Sequence, residues 1–324
     1  MHRLALLALC APALAAAALA LALGFGGPGE PAPMASIIDP FRHVDFSDLP
    51  GPSRFTARDG AALAYRAYPA AGAVRGAVVL VHGSSASSSS LHLLAKGLAA
   101  AGFAAYALDV RGHGDSGPRG RVAYVGQLED DLEDFMGAVR PGRPCTLAGF
   151  SSGGGFALRC AGGARQKLFS SYLLLSPFLG AQAPTFRPGA GGWVKVGVPR
   201  VIALTILNGF GVRWFNGLTV TRFALDEQAK DLLTPAYSYA LAAGFQPWPD
   251  YRANIRAAAQ PLSVLAGADD EVFHAERFAG VFRAAGKAVP VTLLPGIGHV
   301  ALTLDPAAVR AAVEQVARMD PGAP

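Results

Sequence analysis

Thr146-Leu147-Ala148-Gly149-Phe150-Ser151-Ser152-Gly153-Gly154-Gly155-Phe156-Ala157-Leu158 is the stretch on which the fold turns. The run Thr146 to Phe150 is apolar and strand-like, and Phe156-Ala157-Leu158 opens a helical pattern. A serine between small residues at such a strand-to-helix turn can adopt a strained backbone and lift its hydroxyl above the end of a sheet. Glycine on either side lets strand and helix approach closely. The N-terminus of the following helix adds a positive field where negative charge could develop. The pattern G-x-S-x-G alone is a weak signal, because a flexible Gly/Ser loop would read the same way. The flanking strand and helix patterns supply the context that makes Ser151 a candidate nucleophile.

Outward from this stretch, strand-like runs alternate with Ala-rich helical ones. Ala77 to Val81, Phe103 to Val110, Tyr172 to Leu175, Leu262 to Ala266 and Val289 to Leu294 read as strands. Leu91 to Ala101, Leu128 to Val139, Ala275 to Ala285 and Ala307 to Met319 read as helices. Continuous apolar strands in alternation with helices predict an α/β fold, a mostly parallel sheet covered by helices on both faces. From Pro177 to about Asp250 the rhythm breaks, and this stretch holds Trp193, Trp214 and Trp248, all the tryptophans of the chain. It predicts an inserted, mainly helical lid; extra core helices are the alternative. The expected division is 1–24 a targeting segment, 25–50 a linker, 51–178 and 251–324 the core, and 179–250 the lid.

Composition sets the bounds. Among 324 residues, 52% are hydrophobic and only 16% charged, so a large buried core is available and disorder of the main body is excluded. The net charge of +5 comes from scattered arginines such as Arg54, Arg58, Arg66 and Arg75 rather than from a stripe, so no nucleic-acid partner is expected. Met1-His2-Arg3 precedes an unbroken apolar run from Leu4 to Leu23, which as a helix spans roughly 30 Å. A secretory signal peptide would use Ala20-Leu21-Ala22 as its cleavage site, whereas an uncleaved anchor would use the whole run; its length favours the anchor. Either way the body is expected outside the cytoplasm, membrane-anchored and facing the periplasm or exterior, or secreted. A lipoprotein is excluded, because Leu9 precedes Cys10. Gly24 to Pro33 reads as a Gly/Pro-rich linker. Cys145 and Cys160 fall on a strand and on the helix running back along it. That spacing of about 10 Å is too wide for a disulfide, so two buried free thiols are expected. No His/Cys spacing suggests a metal site, and no cofactor is expected.

A serine hydroxyl needs a base to take its proton. His299, in Pro295-Gly296-Ile297-Gly298-His299, follows the last strand at the carboxyl end of the sheet, where parallel sheets carry their sites. Gly267-Ala268-Asp269-Asp270-Glu271 follows the preceding strand and offers a carboxylate to orient the imidazole. The order of serine, acid and histidine is that of a serine triad on a parallel sheet. Leu173 to Gly180 contains no carboxylate, which removes an earlier acid position.

With these residues in view, the sequence resembles the α/β-hydrolase superfamily, and within it the branch of monoacylglycerol lipases, lysophospholipases and serine aminopeptidase-like hydrolases. Val81-His82-Gly83 resembles the strand end that leads into the oxyanion loop. Asp109-Val110-Arg111-Gly112-His113-Gly114-Asp115-Ser116-Gly117-Pro118-Arg119-Gly120 resembles the branch's D-x-R-G-H-G-x-S signature. The resemblance covers roughly Phe55 to Met319 apart from the lid. It implies Asp270 as the acid, with Asp269 and Glu271 as flanking surface charges. It also implies the backbone N–H groups of Ser84 and Ser152 as oxyanion donors, with His82, Gly83, Arg111 and His113 holding loops near the site. Phe150 and Ser152 stand where relatives often carry His and Met. The Ser-rich run Ser84 to Ser90 reads as a loop and N-cap for the next helix. Together these features predict a monomeric serine esterase acting on a small-molecule ester or lipid, reaching the membrane through its N-terminal segment or its substrate. A serine aminopeptidase ranks second, since Asp226, Glu227, Asp231 and Asp250 are few acids for binding an α-ammonium. A non-catalytic scaffold would not need all three groups, and a dehalogenase would need Asp in place of Ser151.

Overall fold

The computed structural model describes residues 2–34, 39–187 and 192–319, and of the first helix the side chains from residue 12 on. In chain order come α1 (His2–Phe25), β1 (Ser53–Thr56), β2 (Ala62–Tyr68), β3 (Gly76–Val81), α2 (His92–Ala100), β4 (Phe103–Leu108), α3 (Gln127–Val139), β5 (Cys145–Phe150), α4 (Ser152–Ala161) and β6 (Ser171–Leu175). Eight strands make one sheet, completed by β10 (Leu262–Gly267) and β11 (Val291–Leu294), in the order β1-β2-β4-β3-β5-β6-β10-β11. From β4 to β11 every pairing is parallel, and only β1 and β2 run against their neighbours.

The central strands are apolar at every position because both faces are covered. Val79, Val81, Leu147, Leu174 and Val264 face one core layer with α3 and α4. Val78, Leu80, Ala148, Leu173 and Leu265 face the other, closed by α2 and α10 (Pro306–Met319). This is the architecture the sequence predicts. The antiparallel pair β1–β2 was not expected from it. In β1 only Phe55 is buried, and in β2 the half-buried Tyr65-Arg66-Ala67 interrupts the buried positions, so neither strand presents the continuous apolar run of the central ones. Cys145 and Cys160 are both buried and unbridged, as expected; burial pushes the Cys145 thiol up to about 12 and raises that of Cys160 well above its ordinary value.

The stretch between β6 and β10 contains β7 (Val194–Val196), α5 (Val198–Gly209), β8 (Thr219–Phe223), α6 (Glu227–Leu232), β9 (Ala236–Ser238), α7 (Tyr239–Gly244) and α8 (Tyr251–Ala257). The strands form an antiparallel sheet in the order β7-β8-β9, which the expectation of a mainly helical lid did not include. Thr219-Val220-Thr221-Arg222-Phe223 carries the β-branched alternation that marks such a strand, with Val220, Thr221 and Phe223 buried. The Gly/Pro-rich segment after α1 is not a free tether. Met34 donates its N–H to the Ala224 carbonyl, Glu30 pairs with Arg222, and α1 packs on α5. Arg200 of α5 donates to the carbonyls of Leu23 and Gly24, closing the end of α1. Among the described residues no helix is long and apolar enough to cross a membrane. The expected apolar run falls partly on residues 4–11, whose side chains lie outside the described part.

Candidate active site

Ser151 sits between β5 and α4 with φ 55° and ψ −117°, in the left-handed half of the backbone map that a non-glycine residue rarely enters. The turn is held on both sides. Ser151 donates its N–H to the Leu175 carbonyl, and its own carbonyl accepts from Gly155 and Phe178. A Cβ on Gly149 or Gly153 would run into backbone, the first into the carbonyl of Gly153 and the second into those of Val81 and His82, so glycine alone fits this tight turn.

His299 Nε2 lies 3.0 Å from Ser151 Oγ, and His299 Nδ1 lies 2.8 Å from Asp270 Oδ2. Asp270 and His299 are almost wholly buried. The Nδ1–H donates to the carboxylate, which leaves the Nε2 lone pair to accept the Ser151 hydroxyl proton. The other Asp270 oxygen accepts the N–H groups of Val272 and Phe273. Burial alone would raise this carboxyl, but the facing imidazole and the Phe273 amide hold it below the usual carboxylate range. Phe150, Trp193 and Phe273 surround the imidazole with ring centroids 4.7, 5.7 and 5.1 Å away.

Of the two acids beside Asp270, Asp269 is exposed. Glu271 does more than carry surface charge: its Oε2 accepts the backbone N–H of His299 at 2.8 Å. Sequence reasoning missed this, because an acid next to a candidate acid looks like a flanking charge until the turn back to residue 299 is seen.

Gly83 lets the loop after β3 come close to the turn; a Cβ there would stand 3.1 Å from the Phe150 ring and 3.3 Å from Ser151 Cβ. Among the described residues neither the Ser84 nor the Ser152 amide takes a hydrogen-bond acceptor, and their hydroxyls lie 2.5 Å apart. The Ser run does not cap α2. Ser87 makes no capping bond, and Ser88 instead gives its N–H to Asp109 at 2.7 Å. Asp109 also accepts from the Asp115 amide, so its carboxylate holds two loops together.

His82 and His113 are fully buried, and their bonds run to loops rather than to Ser151. His82 Nδ1 meets the Gly83 carbonyl, and its Nε2 accepts the Val110 N–H. His113 Nδ1 meets the Val110 carbonyl at 3.1 Å, and its Nε2 meets the Tyr237 hydroxyl at 2.6 Å. Burial lowers both imidazoles, His113 well below its ordinary value with His82 beside it. Arg111 grips Asp131 of α3 through two bonds of 2.7 Å and reaches Asp59, fixing the same loop to the core.

Ser151, Ser152 and His299 open into a cavity of about 1250 Å³ between the sheet and the insertion. Its walls are mainly apolar, among them Phe178, Trp193, Val220, Phe223, Trp248 and Phe273. Small-molecule sites occupy roughly 300–1,000 Å³, so a long substrate fits. Among the described residues no cluster of His, Cys, Asp and Glu could hold a metal.

Three comparisons with known proteins bear on this site. The family model described as "Serine aminopeptidase, S33" matches residues 72–306. A monoacylglycerol lipase of Mycolicibacterium smegmatis is 39% identical over 108 residues, which is 32% of this chain and 37% of that protein. An uncharacterized Escherichia coli protein is 38% identical over 96 residues, 29% of this chain and 16% of its own length. The aligned part thus spans well under half of these curated relatives. Among solved structures, the Paleococcus ferrophilus monoacylglycerol lipase superposes with a TM-score of 0.60 at 22% identity, over 79% of this chain and 99% of that one. A soluble variant of the Saccharomyces cerevisiae monoglyceride lipase, in complex with a substrate analogue, gives 0.62 at 20% identity over 84% and 95%.

Proposed function

The chain belongs to the serine aminopeptidase S33 family of the α/β-hydrolases, and from that premise we propose that it is a serine hydrolase cleaving carboxylic esters, with a single-chain lipid ester, a monoacylglycerol or lysophospholipid, as substrate. The observation that carries this reading is the continuous chain of hydrogen bonds from Ser151 through His299 to Asp270 at the floor of an apolar cavity. His299 Nε2 takes the Ser151 proton as Oγ bonds to the ester carbonyl carbon. The carbonyl oxygen becomes an oxyanion, held by the amides of Ser84 and Ser152 at the N-terminus of α4. Collapse breaks the bond to the alcohol oxygen, which receives the proton from Nε2. Water then repeats the sequence on the acyl-enzyme, returning Ser151 and releasing the acid. Asp270 keeps the imidazole in the required tautomer throughout.

An ester fits better than a peptide N-terminus. Of the carboxylates that line the cavity, Asp109 is taken up by two backbone amides, and Asp115 and Asp231 are exposed, so no buried free carboxylate among the described residues awaits an α-ammonium. The outer face of α5 supports work at a lipid surface. Val198, Ile202 and Ile206 are exposed at four-residue spacing, continued by Phe210 at 81% and Trp214 at 91%, beside the exposed Leu21 and Phe25 of α1.

Hydrolysis of p-nitrophenyl butyrate and laurate by wild type and Ser151→Ala tests the reading. Wild type should turn over both, prefer the longer chain and react with a fluorophosphonate probe; Ser151→Ala should do neither. A variant that kept its activity would remove Ser151 as nucleophile, and equal rates on the two esters would remove the lipid preference.

A further inference from the structure

The return strand of the insertion is tied to the oxyanion loop by a closed set of hydrogen bonds, and the role of those bonds rests on the reading of Ser84 given above. Ser85, the residue after the candidate donor, has φ 67° although it is not glycine. Three of its groups are held by the insertion: its N–H donates to Tyr237 Oη at 2.5 Å, its Oγ donates to the Thr234 carbonyl at 2.6 Å, and its carbonyl accepts the Thr234 N–H at 2.8 Å. Thr234 Oγ1 also reaches the Gly112 carbonyl, and Ser238 donates its N–H to Gly120, so the loop that carries His113 is held by the same strand.

The proton inventory leaves one arrangement. His113 is buried beside the aromatic rings of Tyr237, Phe245 and His82 with no carboxylate against it, and it is neutral. Its Nδ1–H donates to the Val110 carbonyl, so Nε2 is an acceptor, and among the described residues the hydrogen it accepts is that of Tyr237. Tyr237 Oη therefore gives its proton to His113 and uses its lone pair for the Ser85 N–H. With the hydroxyl removed, a buried N–H and a buried imidazole nitrogen both go without partners, and the residue between them and Ser84 sits in a conformation it does not hold unaided.

We propose that Tyr237 is a positioning residue for the oxyanion hole. It lies on the insertion rather than on the sheet, and it fixes the Ser84 amide in its donating direction through Ser85. The segment Thr234–Ser238 is then part of the catalytic floor.

Tyr237→Phe keeps the ring, which packs edge-on against Phe223 and His113, and removes only the hydroxyl. On p-nitrophenyl butyrate, kcat should fall at least tenfold with KM within twofold of wild type, since loss of a whole oxyanion donor costs about 10²–10³-fold. Affinity for a trifluoromethyl ketone, whose enzyme adduct carries an oxyanion, should fall by the same factor as kcat/KM; affinity for the corresponding alkane carboxylic acid should not change. Ser85→Gly, which keeps the N–H and carbonyl bonds and loses only the Oγ bond to the Thr234 carbonyl, should lose three- to tenfold in the same quantities, and it supplies the measurement if Tyr237→Phe does not fold. Unchanged kcat and ketone affinity in a folded Tyr237→Phe protein that Ser151→Ala still inactivates would overturn the inference and leave the hydrolase reading intact. A wild-type protein that bound neither ketone nor fluorophosphonate would overturn both.

Discussion

Asp270 and its neighbour divide the hydrogen bonds to His299 in a way that substitutions can separate. Asp270 holds Nδ1, and Glu271 holds the backbone N–H of the same residue. Asp270→Asn keeps the shape but offers an amide where a carboxylate is needed, stabilising the wrong tautomer. Turnover of p-nitrophenyl butyrate should drop about 10⁴-fold with the fold intact. Glu271→Ala should lower kcat several-fold, and Glu271→Gln, which still accepts through its amide oxygen, should restore it to within about twofold. Equal rates for the Ala and Gln variants would mean that charge rather than the hydrogen bond matters. Ser151 and His299 could be picked out in the sequence because each lies next to a pattern-bearing strand; the loop after Leu262 to Ala266 offered three acids, and Asp270 among them was implied by the family resemblance. Glu271, Ser85 and Tyr237 could not, because their significance comes from bonds between segments whose spacing no local periodicity encodes.

At the level of elements, the start of α4 decides how the turn at Ser151 holds. Gly153 lies against the carbonyls of Val81 and His82, Gly154 against Pro177, and Gly155 against the Phe178 carbonyl. Three successive glycines are therefore three packing requirements, and the helix begins in spite of their poor propensity. Gly153→Ala should destabilise the protein by about 3 kcal/mol, since backbone rather than a flexible side chain has to yield. A lowered midpoint in urea unfolding, with activity lost alongside it, is the expected result, and an unchanged midpoint would show that the turn relaxes. The central strands were legible because burial on both faces leaves an unbroken apolar run. The edge strand β1 and the insertion's small sheet were not, because a three- to five-residue strand carries little pattern, and β2 was not, because Arg66 interrupts its apolar run. The prediction that serines cap α2 failed for a related reason: those hydroxyls and amides are drawn to Asp109, Thr234 and one another by tertiary contacts.

For the molecule as a whole, the two buried imidazoles set the acid limit of stability. His82 and His113 are both lowered from 6.5 by burial, so on the acid side of 6.5 the unfolded chain binds protons that the folded one refuses. Stability from these groups is complete above about pH 6.5. It is lost as pH falls from there towards their folded values, with a slope of up to about 1.4 kcal/mol per pH unit for each. Asp270 acts in a separate window: its lowered carboxyl contributes above its ordinary 3.8, and that contribution goes only as pH drops through the folded value. Urea titrations at pH 7, 6 and 5 should show the midpoint falling steadily, and His113→Asn should flatten the fall. A midpoint independent of pH over that range would mean that burial lowers neither imidazole below its ordinary value.

The contact between Ser151 and His299 joins residues 148 positions apart. The turn at Ser151 is built from β5 and α4, but Asp270 follows β10 and His299 follows β11, both after the insertion in the chain. A growing polypeptide therefore makes Ser151 and most of its cavity walls first, and His299, with Val300 and Thr303 behind it in the lining, is the last of the three to arrive. Until residue 299 has emerged and β11 has paired with β10, the nascent chain holds a Ser151 hydroxyl with no imidazole beside it to accept its proton.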